Sequence, residues 1–320
     1  MNNTSAANVS QTNDQSSSKD ATSKTEGIVF FSVFILTSVL TVAGNTLTIV
    51  LFAMKRKIRK KHFFLAVNLA SADLLLGAVS LPIYSCYVGF NFGLWTLTES
   101  FSTLRWLHIL FQTVDTFLSQ ASLISAAFIS CERFHAIYRP FKHKTLSTRT
   151  YCNVIFVLWL LALLISALLI GSNLLLSNKH TGIIWGPYIF ILIFIICGCY
   201  IGIWRKFKSG IASASHQQNG DLQNKRLTKT LLFVSGFTLL AWLPLVITNF
   251  LIILGFLPID WKFYPMVNLF NYSNSLVNPV VYALRVAEFR RALTSCRLGR
   301  EPALNTALPT IRNERNGTSV

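Results

Sequence analysis

Seven long apolar segments constrain the fold of this chain more than any other feature of its sequence. Each is long enough to cross about 30 Å of hydrocarbon at roughly 1.5 Å per helical residue. A chain inside lipid must satisfy its own backbone hydrogen bonds, so each segment is predicted to be an α-helix. The predicted spans are residues 28–53, 63–90, 106–131, 151–171, 183–204, 231–256 and 263–284. The sequence therefore predicts an all-α membrane protein with seven transmembrane helices, whose termini lie on opposite sides of the membrane.

The distribution of basic residues predicts the orientation of this bundle. The formal net charge of +17 would by itself also suit a nucleic-acid-binding protein. However, only five of the 29 Lys and Arg residues lie on the side that carries the N-terminus, and the others lie in the first, third and fifth connections and in the tail. By the positive-inside rule the N-terminus is outside the cell and the tail is cytoplasmic. The charge therefore indicates topology and attraction to anionic lipid, and no nucleic-acid partner is expected.

The N-terminal residues 1–27 are polar and rich in Ser, Thr and Asn. This composition predicts a disordered extracellular segment. It contains no apolar run typical of a cleavable signal peptide, so the first span is expected to direct insertion. Sequons begin at Asn2 and Asn8, and an extracellular location would allow glycosylation of both.

The predicted bundle covers residues 28–284, and the residues after it are more polar and richer in arginine. Residues 285–296 combine Phe and Leu with Arg, a pattern typical of a short amphipathic eighth helix on the inner leaflet. Cys296 at its end is a candidate palmitoylation site. Residues 297–320 are predicted to be a cytoplasmic tail, and the last three fit a PDZ-type scaffold ligand.

Short motifs occur in six of the spans, in a fixed order along the chain. They are Gly44-Asn45, Leu-Ala-Ser-Ala-Asp73, Glu132-Arg133-Phe134, Trp159, Ala-Trp242-Leu-Pro244 and Asn278-Pro279-Val-Val-Tyr282. Together they resemble the signature motifs of rhodopsin-like G-protein-coupled receptors. The resemblance implies a non-enzymatic receptor in the plasma membrane that binds a small extracellular ligand. It also implies a heterotrimeric G protein and arrestin as cytoplasmic partners.

The resemblance assigns a switch that connects the two faces of the membrane. Glu132 and Arg133 are expected to form a charge pair that opens for the G protein. Pro244 and Pro279 each remove a helical hydrogen bond and are expected to bend their helices. The full set of expected switch residues is Glu132, Arg133, Tyr200, Pro244, Asn278, Pro279 and Tyr282.

Polar residues at membrane depth are costly and indicate functional sites. Asp73 is one, and the resemblance implies that it belongs to an allosteric sodium site that favours the inactive state. The residues implied for this site are Asp73, Ser122, Asn274, Ser275 and Asn278. No other cofactor is expected.

Several positions depart from the family pattern. His108 stands where the family has a cysteine at the top of the third span, and residues 173–181 contain no cysteine to pair with it. Leu192 and Thr238 stand where the family has a proline and a phenylalanine that pack against each other. The usual packing switch is therefore absent from the sequence.

Asp115, in the outer part of the third span, carries the main ligand hypothesis. With Tyr272 it resembles the pair that biogenic amine receptors use to hold a ligand ammonium. The alternative at this position is an aspartate satisfied by Tyr272 and Asn268, without a ligand role. The candidate ligand-contacting residues are Asp115, Tyr272, Asn249, Trp242, Tyr188, Trp185 and Asn268.

Other residues leave a second ligand class open. Pro244-Leu245 with Asn249, and the seventh-span run that ends in Pro279, resemble adenosine receptors, in which Asn249 would hydrogen-bond adenine. A seven-helix transporter or channel is an alternative of another class, although the sequence contains no internal repeat that would indicate two matched halves. The histidines lie near helix ends or in loops, so no catalytic cluster is predicted.

Overall fold

Helices provide all the regular secondary structure in the part of the chain that the structure, a computed structural model, describes. The described residues are 3–54, 64–95, 101–176, 178–211, 220–256 and 262–285. The α-helices are α1 (Asn3–Met54), α2 (Phe64–Leu75), α3 (Leu81–Asn91), α4 (Phe101–Tyr138), α5 (Pro140–Thr145), α6 (Thr148–Leu175), α7 (Asn178–Ile211), α8 (Gly220–Ile253) and α9 (Tyr264–Arg285). The prediction of an all-α protein is confirmed.

Six stretches of these helices are long and apolar enough to cross a membrane. They are residues 23–54, 64–91, 108–138, 148–175, 181–206 and 236–253. The seventh predicted span corresponds to α9, which is 22 residues long but less apolar because it contains four asparagines and two serines. Since α9 packs against α1, α2 and α8, it completes the predicted seven-helix bundle.

Most helices extend beyond the limits predicted from hydropathy. For example, α7 covers 178–211 where the apolar run predicts 183–204. Hydropathy marks only the part of a helix that lies in hydrocarbon, whereas the backbone hydrogen-bond pattern continues into the water on either side. The helix bounds are therefore set by the connections rather than by the lipid.

The N-terminal segment differs from its expected structure. Helix α1 begins at Asn3, so it continues through residues for which the composition predicts disorder. Residues 3–26 contain neither Pro nor Gly, and the single Gly27 before the apolar run is accommodated within the helix. The predicted eighth helix at 285–296, Cys296, the tail and Asn2 lie outside the described residues.

The second span contains a local irregularity that positions a functional side chain. Between α2 and α3, Leu76–Ser80 form a π-helical turn in which the Leu81 N–H donates to the Leu76 carbonyl, five residues earlier. Pro82 follows in the first turn of α3. Because a proline ring has no N–H and crowds the preceding turn, the wider π turn accommodates it. This turn places Ser80 inside the bundle, where its side chain is fully buried.

Two of the motif residues hold the bundle together by packing and hydrogen bonding. A Cβ added to Gly44 in α1 would lie 2.9 Å from Cβ and Cγ of Pro279 in α9. The glycine therefore allows the two helices to approach closely, as small residues do in membranes. Trp159 in α6 donates its indole N–H to Asn68 Oδ1 (2.8 Å), and Asn68 donates to Ser125 Oγ in α4 (2.9 Å).

Candidate functional site

In the first half of α4, Asp115 accepts hydrogen bonds on only one of its two carboxylate oxygens. Tyr272 in α9 donates its hydroxyl to Asp115 Oδ1 (2.8 Å), and Ser80 donates to the same oxygen. No described residue donates to Oδ2, and no Lys, Arg or His of the described chain forms an ion pair with Asp115. Two neutral donors thus hold one oxygen, while the other remains available to a ligand.

Aromatic rings pack around Tyr272, the tyrosine that donates to this carboxylate. The Tyr84 ring lies 5.4 Å from the Tyr272 ring, 5.6 Å from the Phe111 ring and 4.9 Å from the Phe34 ring, measured between centroids. All four residues belong to one buried cluster. Aromatic faces attract cations, and a desolvated carboxylate needs one. The site therefore has the chemistry to bind an organic cation.

Asn268 does not satisfy Asp115 directly. Its amide donates to the hydroxyl of Tyr84 at 2.6 Å, and Tyr84 packs against Tyr272. The alternative without a ligand expects both Tyr272 and Asn268 to hydrogen-bond to Asp115. Tyr272 does so, whereas Asn268 bonds to Tyr84 instead. Ser80, the second direct partner, was not predicted, because its direction depends on the π-helical turn.

The deeper end of the same region is formed by α4, α7 and α8. Tyr188 in α7 donates its hydroxyl to Gln120 Oε1 in α4 at 2.9 Å. Below it, Trp242 is almost fully buried in a cluster with Leu123. Trp185 and Tyr188 pack against this cluster. Gln120 was missed by the sequence analysis, because a single amide in an apolar helix shows no spacing that reveals its partner.

Asn249 makes intramolecular hydrogen bonds with both ends of its amide. Its Nδ2 donates to the carbonyl of Leu245 (2.8 Å), and its Oδ1 accepts from the hydroxyl of Tyr264 (2.9 Å). An amide that reads adenine needs a free donor and a free acceptor pointing at the base. The adenosine alternative is therefore not favoured by this geometry.

The middle of the bundle contains a second carboxylate, and it is fully buried. Asp73 accepts hydrogen bonds from Ser122 (2.8 Å), Ser275 (2.8 Å) and Asn278 (2.6 Å), which come from α4 and α9. The sequence predicted this grouping for all three donors. The amide oxygens of Asn274 and Asn278 are buried without a hydrogen-bond partner. Carboxylate and unpartnered amide oxygens are the ligands that hard cations prefer, so the donor set fits sodium.

At the end of α4 next to α5, Glu132 is held by three neighbours. Arg133 makes a two-pronged ion pair with it, His143 Nε2 lies 2.6 Å from its Oε1, and the Tyr151 hydroxyl donates to the same oxygen at 3.2 Å. The expected Glu132–Arg133 pair is present and closed. His143 was not anticipated, because it lies in α5, a short helix whose position relative to α4 depends on the turn at Arg139.

The junction at which the sequence departs from the family is filled by aliphatic packing. Leu123 is buried together with Ile189 and Trp242, and Leu192 packs against this cluster. Thr238, on α8, is also buried. The contact between α4, α7 and α8 that the family makes with a proline and a phenylalanine is thus made here by branched side chains.

The remaining switch residues lie on the predicted helices. Pro244 lies inside α8 and Pro279 inside α9. Tyr200 is half-buried on α7, and Tyr282 belongs to α9 by its backbone. His108, at the position of the expected cysteine, packs its ring 5.3 Å from that of Tyr87.

Comparison with known proteins identifies the relatives of this arrangement. The family described as 7 transmembrane receptor (rhodopsin family) matches residues 44–282. The histamine H2 receptor of Homo sapiens is 26% identical over 317 residues, covering 91% of this chain and 85% of that receptor. The histamine H2 receptor of Cavia porcellus is 25% identical over 312 residues, covering 89% and 84%. Trace amine-associated receptor 13c of Danio rerio is 25% identical over 284 residues, covering 79% and 81%.

Proposed function

Because this chain belongs to the rhodopsin family of seven-transmembrane receptors, we propose that it is a plasma-membrane receptor for a small protonated amine. The N-terminus is outside the cell, the ammonium group of the ligand pairs with Asp115, and binding activates a heterotrimeric G protein.

The state of Asp115 is the observation that carries this proposal. Its Oδ1 is fixed by Tyr272 and Ser80, and its Oδ2 has no donor among the described residues. A carboxylate at membrane depth without a cationic partner is unfavourable, because it has lost water and gained only neutral hydrogen bonds. An ammonium ion from outside supplies the missing charge, and Tyr272 keeps the carboxylate oriented to receive it.

The surroundings define the class of amine. The rings of Tyr84, Phe111 and Tyr272 favour a compact ligand with an aromatic group close to the ammonium. Deeper in the bundle, the Tyr188–Gln120 pair offers a hydroxyl and an amide to a polar group at the far end of the ligand. The names of the relatives, which refer to histamine and trace amines, support a ligand of this size and charge.

The test is the affinity of histamine and 2-phenylethylamine for the purified receptor in lipid nanodiscs. For an amine that binds, Asp115→Asn should cost about 2 to 5 kcal/mol, because it removes one member of a desolvated charge pair. This corresponds to a weakening of roughly 30- to 5000-fold. As a control, Asn249→Ala should leave the affinity within about twofold, since Asn249 is occupied by Tyr264 and Leu245. Strong loss in Asn249→Ala with an unaffected Asp115→Asn would instead indicate a nucleoside receptor.

We also infer an allosteric sodium site at Asp73. The carboxylate, the Ser122 hydroxyl and the unpartnered amide oxygens of Asn274 and Asn278 provide oxygen ligands in a fully buried space. A sodium ion there compensates the charge of Asp73 and links α2, α4 and α9. Since the same side chains must rearrange when these helices move, a bound ion stabilises the resting arrangement.

The cytoplasmic face supports the coupling function. Glu132 and Arg133 form the closed pair, and α5 next to them presents Phe141 with 83% of its surface exposed. A large apolar side chain on a short helix that faces the cytosol is a suitable anchor for a partner protein. We propose that Phe141 and the opened Arg133 contact the G protein. Arrestin, a PDZ-type scaffold and palmitoylation of Cys296 remain proposals from the sequence.

A further inference from the structure

Two cysteines from different helices meet near the cytoplasmic end of the bundle. Cys131 in α4 directly precedes Glu132, and Cys199 lies on α7, with 3.8 Å between the two sulfur atoms. Both are free thiols; Cys131 is exposed and Cys199 is half-buried. A disulfide has a sulfur–sulfur distance of about 2.05 Å, so the two atoms need to approach by less than about 2 Å to become bonded.

The register of the two helices makes this contact a fixed feature. Gln120 meets Tyr188, and Cys131 meets Cys199, with the same separation of 68 residues in both pairs. The next contact along the interface keeps this offset, since a Cβ added to Gly202 would lie 2.4 Å from Cε2 of Phe134. A constant offset is expected for two helices that run in parallel and pack along their length. The thiols are thus held opposite each other by contacts on both sides of them.

The pair lies where a covalent link would affect the switch. Beyond the thiols, Tyr138 donates its hydroxyl to the carbonyl of Gly202 at 2.9 Å, so α4 and α7 are already in contact on that side. Glu132 and Arg133 follow Cys131 directly in the chain. Any rearrangement that moves α4 and α7 apart at this level has to separate the two sulfur atoms.

We propose that Cys131 and Cys199 form a redox modification site, in which intracellular hydrogen peroxide converts the two thiols to a disulfide that fixes α4 to α7. One thiol is first oxidised to a sulfenic acid with release of one water. The second thiol then attacks that sulfur, forming the S–S bond and releasing a second water. In sum, two thiols and one hydrogen peroxide give one disulfide and two waters. Cytosolic thiols reverse the reaction by exchange, as expected for a regulatory disulfide in a reducing compartment.

The chemical step is tested on the full-length receptor in nanodiscs, without any ligand. After brief treatment with hydrogen peroxide, peptide mapping by mass spectrometry should detect a peptide cross-linked through Cys131 and Cys199 that a reductant removes. Cys131→Ser and Cys199→Ser should each lose this species. Cys197→Ser, which removes a half-buried thiol two residues away on the same helix, should retain it. Absence of the cross-link in the unmutated receptor, or its persistence in Cys131→Ser, would overturn the proposal.

The functional step uses G-protein nucleotide exchange and rests on the proposed coupling. Peroxide should lower both the unstimulated and the histamine-stimulated exchange of the unmutated receptor and of Cys197→Ser, and a reductant should restore them. The Cys131→Ser and Cys199→Ser variants should show no such loss. A cross-link that forms without changing exchange would overturn the regulatory role. Because cross-linking and unstimulated exchange need no amine, failure of histamine to bind would contradict only the proposed ligand.

Discussion

The two carboxylates inside the bundle, Asp73 and Asp115, differ in how their oxygens are used. Asp73 is fully buried and receives hydrogen bonds on both oxygens from α4 and α9. Asp115 receives both of its bonds on a single oxygen and keeps the other open. A buried group of oxygen atoms suits a small inorganic cation, whereas a carboxylate oxygen without a hydrogen-bond donor, close to aromatic rings, suits an organic cation. The number of carboxylate oxygens that already accept a hydrogen bond therefore distinguishes the proposed sodium site at Asp73 from the proposed amine site at Asp115.

Replacing Asp73 by Asn should abolish the effect of sodium on the receptor. The amide keeps the volume and some of the hydrogen bonds of the carboxylate, but it removes the charge that binds the ion. In the unmutated receptor, agonist affinity should be weaker in a sodium salt than in a potassium salt, whereas Asp73→Asn should show equal affinities in the two salts. A second measurement is the thermal unfolding temperature, which sodium should raise in the unmutated receptor. The control variant Asp115→Asn should retain this stabilisation by sodium. A sodium effect that survives in Asp73→Asn would exclude this site.

At the scale of the helices, glycines set how closely neighbouring elements approach. The contact between Gly44 in α1 and Pro279 in α9 is limiting, since an added Cβ would lie 2.9 Å from two atoms of the proline ring. Such a distance is shorter than normal carbon contacts, and proline cannot move its ring away because the ring is part of the backbone.

Gly44→Val should therefore destabilise the receptor by about 1 to 3 kcal/mol, the usual cost of overpacking a closely packed interface. The measurement is the midpoint of thermal unfolding in detergent. Gly236→Val, on α8, provides a control, because nothing lies within 4 Å of a Cβ at that glycine. If both variants unfolded at the same temperature as the unmutated receptor, α1 and α9 would not be in close contact.

His143, on the short helix α5, links the connection between α4 and α6 to the proposed switch. The imidazole contacts Glu132 at 2.6 Å and also lies 3.2 Å from the hydroxyl of Tyr151. It therefore adds a partner from outside the transmembrane helices to the carboxylate of the proposed switch.

His143→Phe should raise ligand-independent activity. Losing about 1 kcal/mol of stabilisation of the closed pair would increase the active fraction about fivefold, provided that this fraction is small. Nucleotide exchange without ligand measures the change. His135→Phe makes the same replacement at a histidine whose ring centroid lies 6.1 Å from that of His143 but which has no side-chain hydrogen bond to another described residue, and it should stay near the unmutated rate. Equal rates for His143→Phe and the unmutated receptor would mean that α5 does not restrain the switch.

At the scale of the whole molecule, the bundle is apolar outside and partly polar inside. Phe156, Phe194 and Leu240 expose 69%, 71% and 66% of their surfaces, whereas Asn45, Asp73 and Asn278 are buried. This distribution is the reverse of that in a water-soluble protein, and it is stable only where hydrocarbon surrounds the helices.

The asymmetry of the basic residues gives a prediction for the intact cell. An epitope fused to residue 1 should bind an impermeant antibody on unpermeabilised cells, whereas an epitope after residue 320 should bind only after permeabilisation. The reason is that 24 of the 29 Lys and Arg residues, all but the five counted on the N-terminal side, flank the spans on one side of the bundle. The reverse labelling pattern would contradict the receptor topology.

The number of spans, the family motifs and the three side chains that surround Asp73 were all predictable from the sequence. Hydrophobic length is a property of consecutive residues, because lipid requires about 20 apolar residues per crossing. The motif residues lie at fixed positions on their helices, so the grouping of Ser122, Ser275 and Asn278 around Asp73 followed from the resemblance once the helices were counted. The resemblance likewise implied that Tyr272 lies next to Asp115, and its hydroxyl donates to Asp115 Oδ1.

The tertiary structure decided which partner each remaining polar side chain has. Ser80 reaches Asp115 only because a π-helical turn rotates it inward, and Asn249 is occupied because Tyr264 lies opposite it. Cys131 and Cys199 meet through the register of two helices that are 68 residues apart. These relations depend on local helix geometry and on packing between helices distant in sequence. A sequence pattern encodes the face of a helix, but the rotation and offset of that face against its neighbour are set by how all the helices pack together.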